Sequence, residues 1–145
     1  MGTLSELWII TRYGLPVYHQ SLTGKFDETL FAGFISAILH FVKELGESDI
    51  RRLELGESKI VVLSSIDKKW FFIGKSDKDI KDKKIHEYLN DIQEIFFEQF
   101  GDTLEDWNND LEIFKILDTT IDIKNPESPS TQEYHEKQKS RGSFL

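Results

Sequence analysis

The chain has 145 residues, of which 39% are apolar, and its formal net charge is -8. This length and composition suffice for one hydrophobic core but hardly for two. The negative charge argues against a nucleic-acid partner, because phosphate binding needs a surface rich in Lys and Arg. The chain contains no cysteine, which excludes disulfides and thiolate zinc sites and suits a reducing compartment.

Nothing in the sequence predicts a membrane span or a targeting signal. The longest segment without a charged residue covers residues 29–42, which is shorter than the roughly 20 residues that a bilayer requires. The N-terminus lacks the basic and apolar regions of a secretory signal, and Glu6 stands where a myristoylation signal has Ser or Thr. We therefore expect a cytoplasmic protein with at most peripheral membrane association through its partners.

The apolar pattern predicts five strands, with one long helix after the second strand. In chain order these elements cover residues 7–11, 17–22, the helix 27–45, and strands 50–55, 59–65 and 70–73. The first, fourth and fifth strands are continuous apolar runs, which is typical of strands covered on both faces. Short turns link neighbouring strands into antiparallel hairpins. The first, fourth and fifth strands must then be central in the sheet, which predicts the order 2-1-5-4-3 with helices on both faces.

Two amphipathic helices are predicted after the strands. Apolar residues recur with helical spacing from Ile85 to Phe100, and Gly101 is expected to end this helix as a C-cap. Asp102 and Glu105 resemble a capping box that starts a last helix. The apolar stripe of that last helix is Leu104, Trp107, Leu111, Phe114 and Leu117. Core packing on the sheet is the default interpretation of both stripes, although an aromatic stripe can also hold a flat ligand.

The folded domain is predicted to span residues 1–124, followed by a disordered tail at 125–145. The tail holds two of the three prolines and shows no helical or strand period, so it buries too little apolar surface to order itself. Its charges cancel, which places the excess negative charge on the domain. Phe144 and Leu145 are candidates for a docking motif, but frayed termini with an apolar residue are the commoner case.

No catalytic, cofactor or metal motif is complete in this sequence. A Gly-Lys pair at 24–25 resembles the end of a phosphate-binding loop, but His19 and Phe26 replace the required Gly and Ser or Thr. The segment 56–58 resembles a nucleophile elbow, but Ile60 occupies the final glycine position. The four histidines lack the spacing of metal ligands. We therefore expect a protein that is not an enzyme and holds no cofactor or metal.

The two halves of the first predicted helix differ in a way that core packing does not require. At about 100° per residue, large apolar side chains fill one half, which we expect to cover the sheet. The other half lacks the Lys and Glu of an ordinary exposed face, and it holds Thr29, Ala32, Gly33, Ser36, Ala37 and His40.

We predict that this small-residue half is a protein interface, because uncharged surface patches mark contacts and Gly33 lets a second helix approach closely. The alternative is an exposed face that happens to be small. The edge strand with Arg51 and Arg52 extends the predicted interface. The contact is then a symmetric homodimer or a heterodimer.

The opening hairpin resembles that of longin domains in adaptor subunits and Rab exchange factors. It reads LWIITRYGLPVY over residues 7–18, an apolar strand that leads through a Gly-x-Pro turn into a second strand. The element order β-β-α-β-β-β-α-α is also that of longin domains. The nearest likeness is to the first longin domain of Mon1-type Rab exchange-factor subunits, in which strands resembling residues 49–53 and 59–63 follow a long apolar helix.

The resemblance implies a longin (profilin-like) α+β fold with one helix on one face of the sheet and two on the other. It further implies a non-catalytic module that pairs with itself or with a longin or roadblock protein and binds or regulates a small GTPase in membrane-trafficking-like processes. No residue of this chain matches an exchange-catalysing position. The alternative function is a profilin-like small-ligand sensor or enzyme, which requires a cavity with convergent polar groups.

Overall fold

The computed structural model describes residues 4–22, 24, 28–44 and 51–124. The strands of this part of the chain are β1 Glu6–Thr11, β2 Pro16–Ser21, β3 Arg52–Glu54, β4 Ser58–Ser64 and β5 Trp70–Asp77. The helices are α1 Glu28–Glu44, α2 Asp82–Leu104 and the short α3 Leu117–Thr120, which directly follows a 3-10 helix at Leu111–Ile116. None of the helices in the described ranges is long and apolar enough to cross a membrane.

The strands form one antiparallel sheet in the order β2-β1-β5-β4-β3, which confirms the predicted order. β1 lies between β2 and β5, with Trp8 opposite both His19 and Ile73. The three continuous apolar runs are therefore the three central strands, because a central strand is covered on both of its faces. Together with the helix placement, this arrangement is the longin-like α+β fold.

Side chains of alternating strand positions build a core on each face of the sheet. Leu7 and Ile9 of β1 belong to the core under α2, whereas Trp8 and Ile10 belong to the core under α1. The 3-10 helix and α3 add Phe114 and other residues to the α2 side. One helix thus lies on one face and the later helices lie on the other, as predicted.

The end of α2 differs from the prediction. α2 continues through Gly101 to Leu104, and Gly101 is not among the glycines with a positive φ. The predicted C-cap at Gly101 and the capping box at Asp102 and Glu105 are therefore wrong. Packing explains the difference, because Phe100 and Leu104 extend the apolar stripe of α2 over the core, and tertiary packing outweighs local end signals.

The predicted last helix is a 3-10 helix followed by the single turn of α3. The chain turns at Asn109, which adopts a left-handed φ of 67°, a conformation that asparagine tolerates better than most residues. The side chain of Asp110 then accepts a hydrogen bond from the amide of Glu112 and caps the 3-10 helix. The Asn-Asn-Asp segment at 108–110 is the helix boundary that the sequence analysis placed at Gly101.

Two strands also differ in length from the prediction. β5 continues past Ile73 to Asp77, because Gly74 and Lys75 remain paired with both β1 and β4. Of the strand predicted at 50–55, Arg52–Glu54 form β3, and residue 50 lies outside the described residues. The predicted ends of the first helix at 27 and 45 and the tail at 125–145 lie outside the described residues.

The segment after α3 completes the core on the α2 side. Ile121 and Ile123 are buried, and the carboxamide of Gln20 bonds to the carbonyl of Ile121 and the amide of Ile123. The hydroxyl of Tyr18 donates to Asp118 at 2.6 Å. Burial raises the pKa of Tyr18 far above its usual value, and the hydrogen bond to Asp118 adds to the increase.

Candidate functional site

The first helix packs on the sheet through a mixed set of large and small side chains. Ala32, Ile35 and Leu39 are buried against the strands. The ring of Phe31 stacks on Trp8 of β1 with a centroid distance of 3.7 Å and an interplanar angle of 13°. The centre of the sheet-facing side therefore lies along the line from Ala32 to Leu39.

This orientation corrects the predicted division of the helix. Ala32 was predicted to lie in the exposed half, but it is fully buried. Leu30 and Phe34 were predicted to cover the sheet, but they are 74% and 52% exposed. The physical reason is that both halves of the helix lack charge, so its rotation depends on which side chains fit against the large rings of the sheet, and a small residue lets the helix approach them.

Ser36 is also drawn toward the body of the domain. It packs against the turn between β1 and β2, where a Cβ atom added to Gly14 would lie only 2.7 Å from the Cβ of Ser36. Gly14 combines this close approach with a φ of 89°, so glycine is required there for two reasons. Ser36 thus belongs to a helix-hairpin contact.

Between Leu30 and His40, the residues that α1 exposes form an uncharged surface, which we call the outer face of α1. Its members are Leu30, Gly33, Phe34, Ala37 and His40. Nδ1 of His40 donates to the carbonyl of Ser36 at 2.7 Å. Thr29 belongs to α1, but its side chain lies outside the described part of the structure. Large apolar side chains on an exposed uncharged helix face are typical of contact surfaces.

Arg51 and Arg52 lie at the edge of the sheet, as predicted for a strand at its border. The guanidinium of Arg52 forms ion pairs with Glu54 and with Asp82 at the start of α2. α1 and α2 lie on opposite faces of the sheet. Arg52 therefore leans toward the α2 layer, and its side chain does not join the outer face of α1.

A buried lysine beside this edge was missed by the sequence analysis. Lys59 of β4 points toward the α2 layer, and its Nζ lies 2.5 Å from Oδ1 of Asp82. The hydrogen bond from Lys59 lowers the pKa of Asp82, and the charges of Lys59 and Arg52 act in the same direction. In the sequence, the available indication of this buried lysine was that Lys59 is the single charged residue of the otherwise uncharged strand β4.

A second buried polar cluster lies between β1 and β2. The carboxylate of Glu6 is fully buried, lies 3.2 Å from Nε2 of His19 and accepts a hydrogen bond from the hydroxyl of Ser21 at 2.7 Å. The imidazole of His19 also stacks on Trp8. Among the described residues, no group of three or more His, Asp or Glu side chains is arranged to hold a metal ion.

A cavity of about 660 Å³ opens at the end of the sheet where the β1–β2 and β4–β5 turns meet the C-terminal end of α2. We call it the hairpin-end cavity. Its apolar walls are Leu15, Trp70, Phe97, Leu104 and Trp107. The sequence analysis favoured core packing for the aromatic stripe and kept a flat ligand as the alternative, but it did not indicate which part of the stripe would line an open space.

No protein-family model matches the sequence, and no curated protein matches it. Among solved structures, the chain is similar to MglB of Myxococcus xanthus, with a TM-score of 0.48 and 15% identity over 66% of this chain and 85% of that one. It is also similar to the gliding protein MglB of Thermus thermophilus, with a TM-score of 0.42 and 17% identity over 59% and 69% of the two chains.

A structure described as MglB with a tetrameric arrangement gives a TM-score of 0.42 and 17% identity over 59% of this chain and 68% of that one. Similarity at this level of identity concerns the fold alone. The longin-like fold assignment rests on the strand order and helix placement of this chain. The narrower likeness to Mon1-type domains receives no support from these comparisons.

Proposed function

We propose that this chain is a non-catalytic longin module that pairs with a second longin or roadblock domain, or with itself, and then binds or regulates a small GTPase. The observation that carries the proposal is the outer face of α1. This face exposes Leu30 and Phe34 beside Gly33 and Ala37, and residues 29–42 contain no charge. An exposed helix that contacts only water normally carries Lys and Glu on such a face.

The geometry of the face suits a second helix. Gly33 and Ala37 are four residues apart and thus lie on one line along the helix, where small side chains let another helix approach closely. Leu30 and Phe34 form a parallel line beside them. Burial of each of these two larger side chains contributes about 1.5–3 kcal/mol to a contact. The same face on two copies produces a symmetric pair, and a related domain produces a heterodimer.

The GTPase part of the proposal rests on the resemblance of the opening hairpin to longin domains of adaptors and exchange factors. In its narrower form, the module is a subunit of a Mon1-type exchange factor that acts in membrane trafficking within the cytoplasm. The edge of the sheet at β3 supports the proposal, since an edge strand offers unpaired backbone groups to a partner. The surface that binds the GTPase is then composite, because both protomers of the pair contribute to it.

The assembly is tested by the substitutions Gly33→Glu and Ala37→Glu. Each places an unpaired charge in the proposed contact, so we expect the mass measured by light scattering to fall from that of an assembly to that of a monomer, with the circular dichroism spectrum of the folded domain unchanged. Asn90→Glu adds the same charge to an exposed position of α2 and should leave the mass unchanged. An unchanged mass and unchanged partner recovery in both α1 variants would exclude this face as the contact.

The GTPase partner is tested by affinity recovery from native lysate in GDP and in a non-hydrolysable GTP analogue. We expect a small GTPase, or a second longin or roadblock protein, to be recovered with the wild-type chain, and the recovery of the GTPase to depend on the nucleotide. If both protomers form the GTPase-binding surface, Gly33→Glu should also reduce recovery of the GTPase. Repeated recovery of neither class of protein would contradict the proposal.

A further inference from the structure

Gly101 lies in α2 where the helix borders the hairpin-end cavity. Apart from its chain neighbours and the surrounding backbone of α2, no heavy atom lies within 4 Å of the position that a Cβ atom would occupy there. Glycine in a helix is less favourable than alanine by roughly 1 kcal/mol, and the φ of this residue does not require glycine. The absence of a side chain at Gly101 therefore keeps open a space that almost any other residue would begin to fill.

The aromatic wall of the cavity is fixed by hydrogen bonds outside it. The indole N–H of Trp107 donates to the carbonyl of Asp110 at 3.0 Å, so its polar atom is satisfied and the apolar ring is left to line the cavity. The side chain of Asn108 accepts from the amide of Asp110 at 3.1 Å and holds this turn. The ring of Trp107 lies 6.0 Å from that of Trp70 at an interplanar angle of 46°.

The charges around the cavity balance each other. Arg12 and Lys69 oppose Asp67 and Glu105. The guanidinium of Arg12 lies 4.7 Å from the centre of the Tyr13 ring. Burial opposes the ionisation of Asp67, but hydrogen bonds from a neighbouring hydroxyl and from the amide of Lys69 outweigh it and lower its pKa. The cavity therefore favours neither an anionic nor a cationic ligand.

Thr11 and Asn109 add uncharged polar groups to the lining. The hydroxyl oxygen of Thr11 accepts hydrogen bonds from the amides of Tyr13 at 3.3 Å and Leu15 at 3.1 Å, which leaves its proton available to donate. The carboxamide of Asn109 supplies both a donor and an acceptor. These groups suit the polar edge of a ligand whose remaining surface is apolar.

We propose that the hairpin-end cavity is a binding site for a planar, uncharged aromatic small molecule with a polar edge. Its ring packs against Trp70 and Trp107, and its polar edge meets Thr11 and Asn109. The volume of about 660 Å³ lies within the range of about 300–1,000 Å³ that small-molecule sites occupy, and aromatic pairs favour ring-shaped ligands. The site lies on the α2 side of the sheet and is independent of the outer face of α1.

Indole is the probe, because it combines a flat neutral ring system with one hydrogen-bond donor. In an NMR titration of the ¹⁵N-labelled wild-type chain, we expect saturable shifts of the Trp107 indole and Gly101 amide signals, with a Kd on the order of 1 mM or tighter. Cyclohexanol, which is neutral but not planar, should bind at least tenfold more weakly. Shifts that do not saturate, or that are largest at residues remote from the cavity, would overturn the proposal.

Gly101→Leu tests the site by filling it. The new side chain enters open space, so we expect the variant to keep the wild-type circular dichroism spectrum and to bind indole at least tenfold more weakly. Gly56→Leu is the matched control, because Gly56 also has open space around its Cβ position and lies in the turn between β3 and β4. Unchanged indole affinity in Gly101→Leu would refute the assignment. The wild-type shift map needs no substitution and remains decisive if that variant does not fold.

Discussion

The buried ammonium group of Lys59 ties the sheet to α2. Lys59 is only 3% exposed, and its single ion-pair partner among the described residues, Asp82, is shared with Arg52. A buried charge without a partner is strongly destabilising. The lowered pKa of Asp82 shows that the folded state favours the ionised carboxylate. Asp82 therefore contributes stability only while it is ionised.

Asp82→Asn tests this contribution. We expect the free energy of unfolding at pH 7 to fall by about 1–2 kcal/mol, since a buried cation loses its partner while the partly exposed aspartate is screened by water. The folded-state pKa of Asp82 lies below the unfolded value of about 3.9, so the contribution is complete above that value and is lost as the pH falls through the folded-state pKa.

Urea unfolding of the wild type and of Asp82→Asn, measured at pH 7 and at steps down to pH 2, follows this contribution. The difference between the two proteins should shrink at the acidic end. Asp79→Asn removes the same charge from an exposed position in the preceding turn and should change little. A difference that stays constant with pH would show that ionisation of Asp82 is not the source of the stability.

α2 shows how packing overrides a local end signal. Gly101 followed by Asp102 has the composition of a helix boundary, yet the helix continues for another turn because Phe100 and Leu104 cover the core. The true boundary is formed by Asn109 in a left-handed conformation and by the cap at Asp110. A cap contributes about 1 kcal/mol, and burial of one large apolar side chain contributes more.

Gly101→Ala distinguishes a helical glycine from a C-cap. We expect the free energy of unfolding to rise by about 0.5–1 kcal/mol, because alanine favours the helix and meets no neighbouring atom. Gly24→Ala is the control, since Gly24 also has open space but a φ of 66°. It should lower stability by about 1 kcal/mol. Equal losses in the two variants, measured by urea unfolding, would contradict the helical conformation at Gly101.

The segment after α3 closes the domain by returning the chain to β2. Ile121 and Ile123 enter the core on the α2 side, while Gln20 satisfies one backbone group on each of them. A glutamine side chain thus acts here as a neighbouring strand would. This contact joins residues about 100 positions apart. We therefore expect the stability of the domain to require the chain up to Ile123.

Two truncations locate the boundary of the folded unit. Removal of residues 125–145 should leave the melting temperature nearly unchanged, because the tail has no apolar stripe. Removal of residues 121–145 should lower the free energy of unfolding by about 3–6 kcal/mol, since two buried isoleucines are lost. Calorimetry of both proteins measures the effect. If removal of residues 125–145 alone lowers the melting temperature by several degrees, the tail docks on the domain, and Phe144 is then the residue to test.

The amino-acid pattern alone was enough to predict the strand order and helices on both faces of the sheet, whereas the placement of one helix against two was implied by the resemblance to longin domains. Continuous apolar runs identify strands that are covered on both faces, and the short turns leave few ways to connect them. The outer face of α1 was partly predictable, since Gly33, Ala37 and His40 are exposed as expected. Their role in an interface remains a prediction.

Three features depend on packing between distant parts of the chain: the rotation of α1, the length of α2 and the presence of the hairpin-end cavity. Ala32 is buried and Phe34 is exposed because the rotation of an uncharged helix is set by its fit against Trp8 and the other rings of the sheet. Local patterns fix which residues share a helix face, because that depends on a constant angle per residue. Which face turns inward, and where a gap remains, depends on the volumes of side chains that meet only in the folded domain.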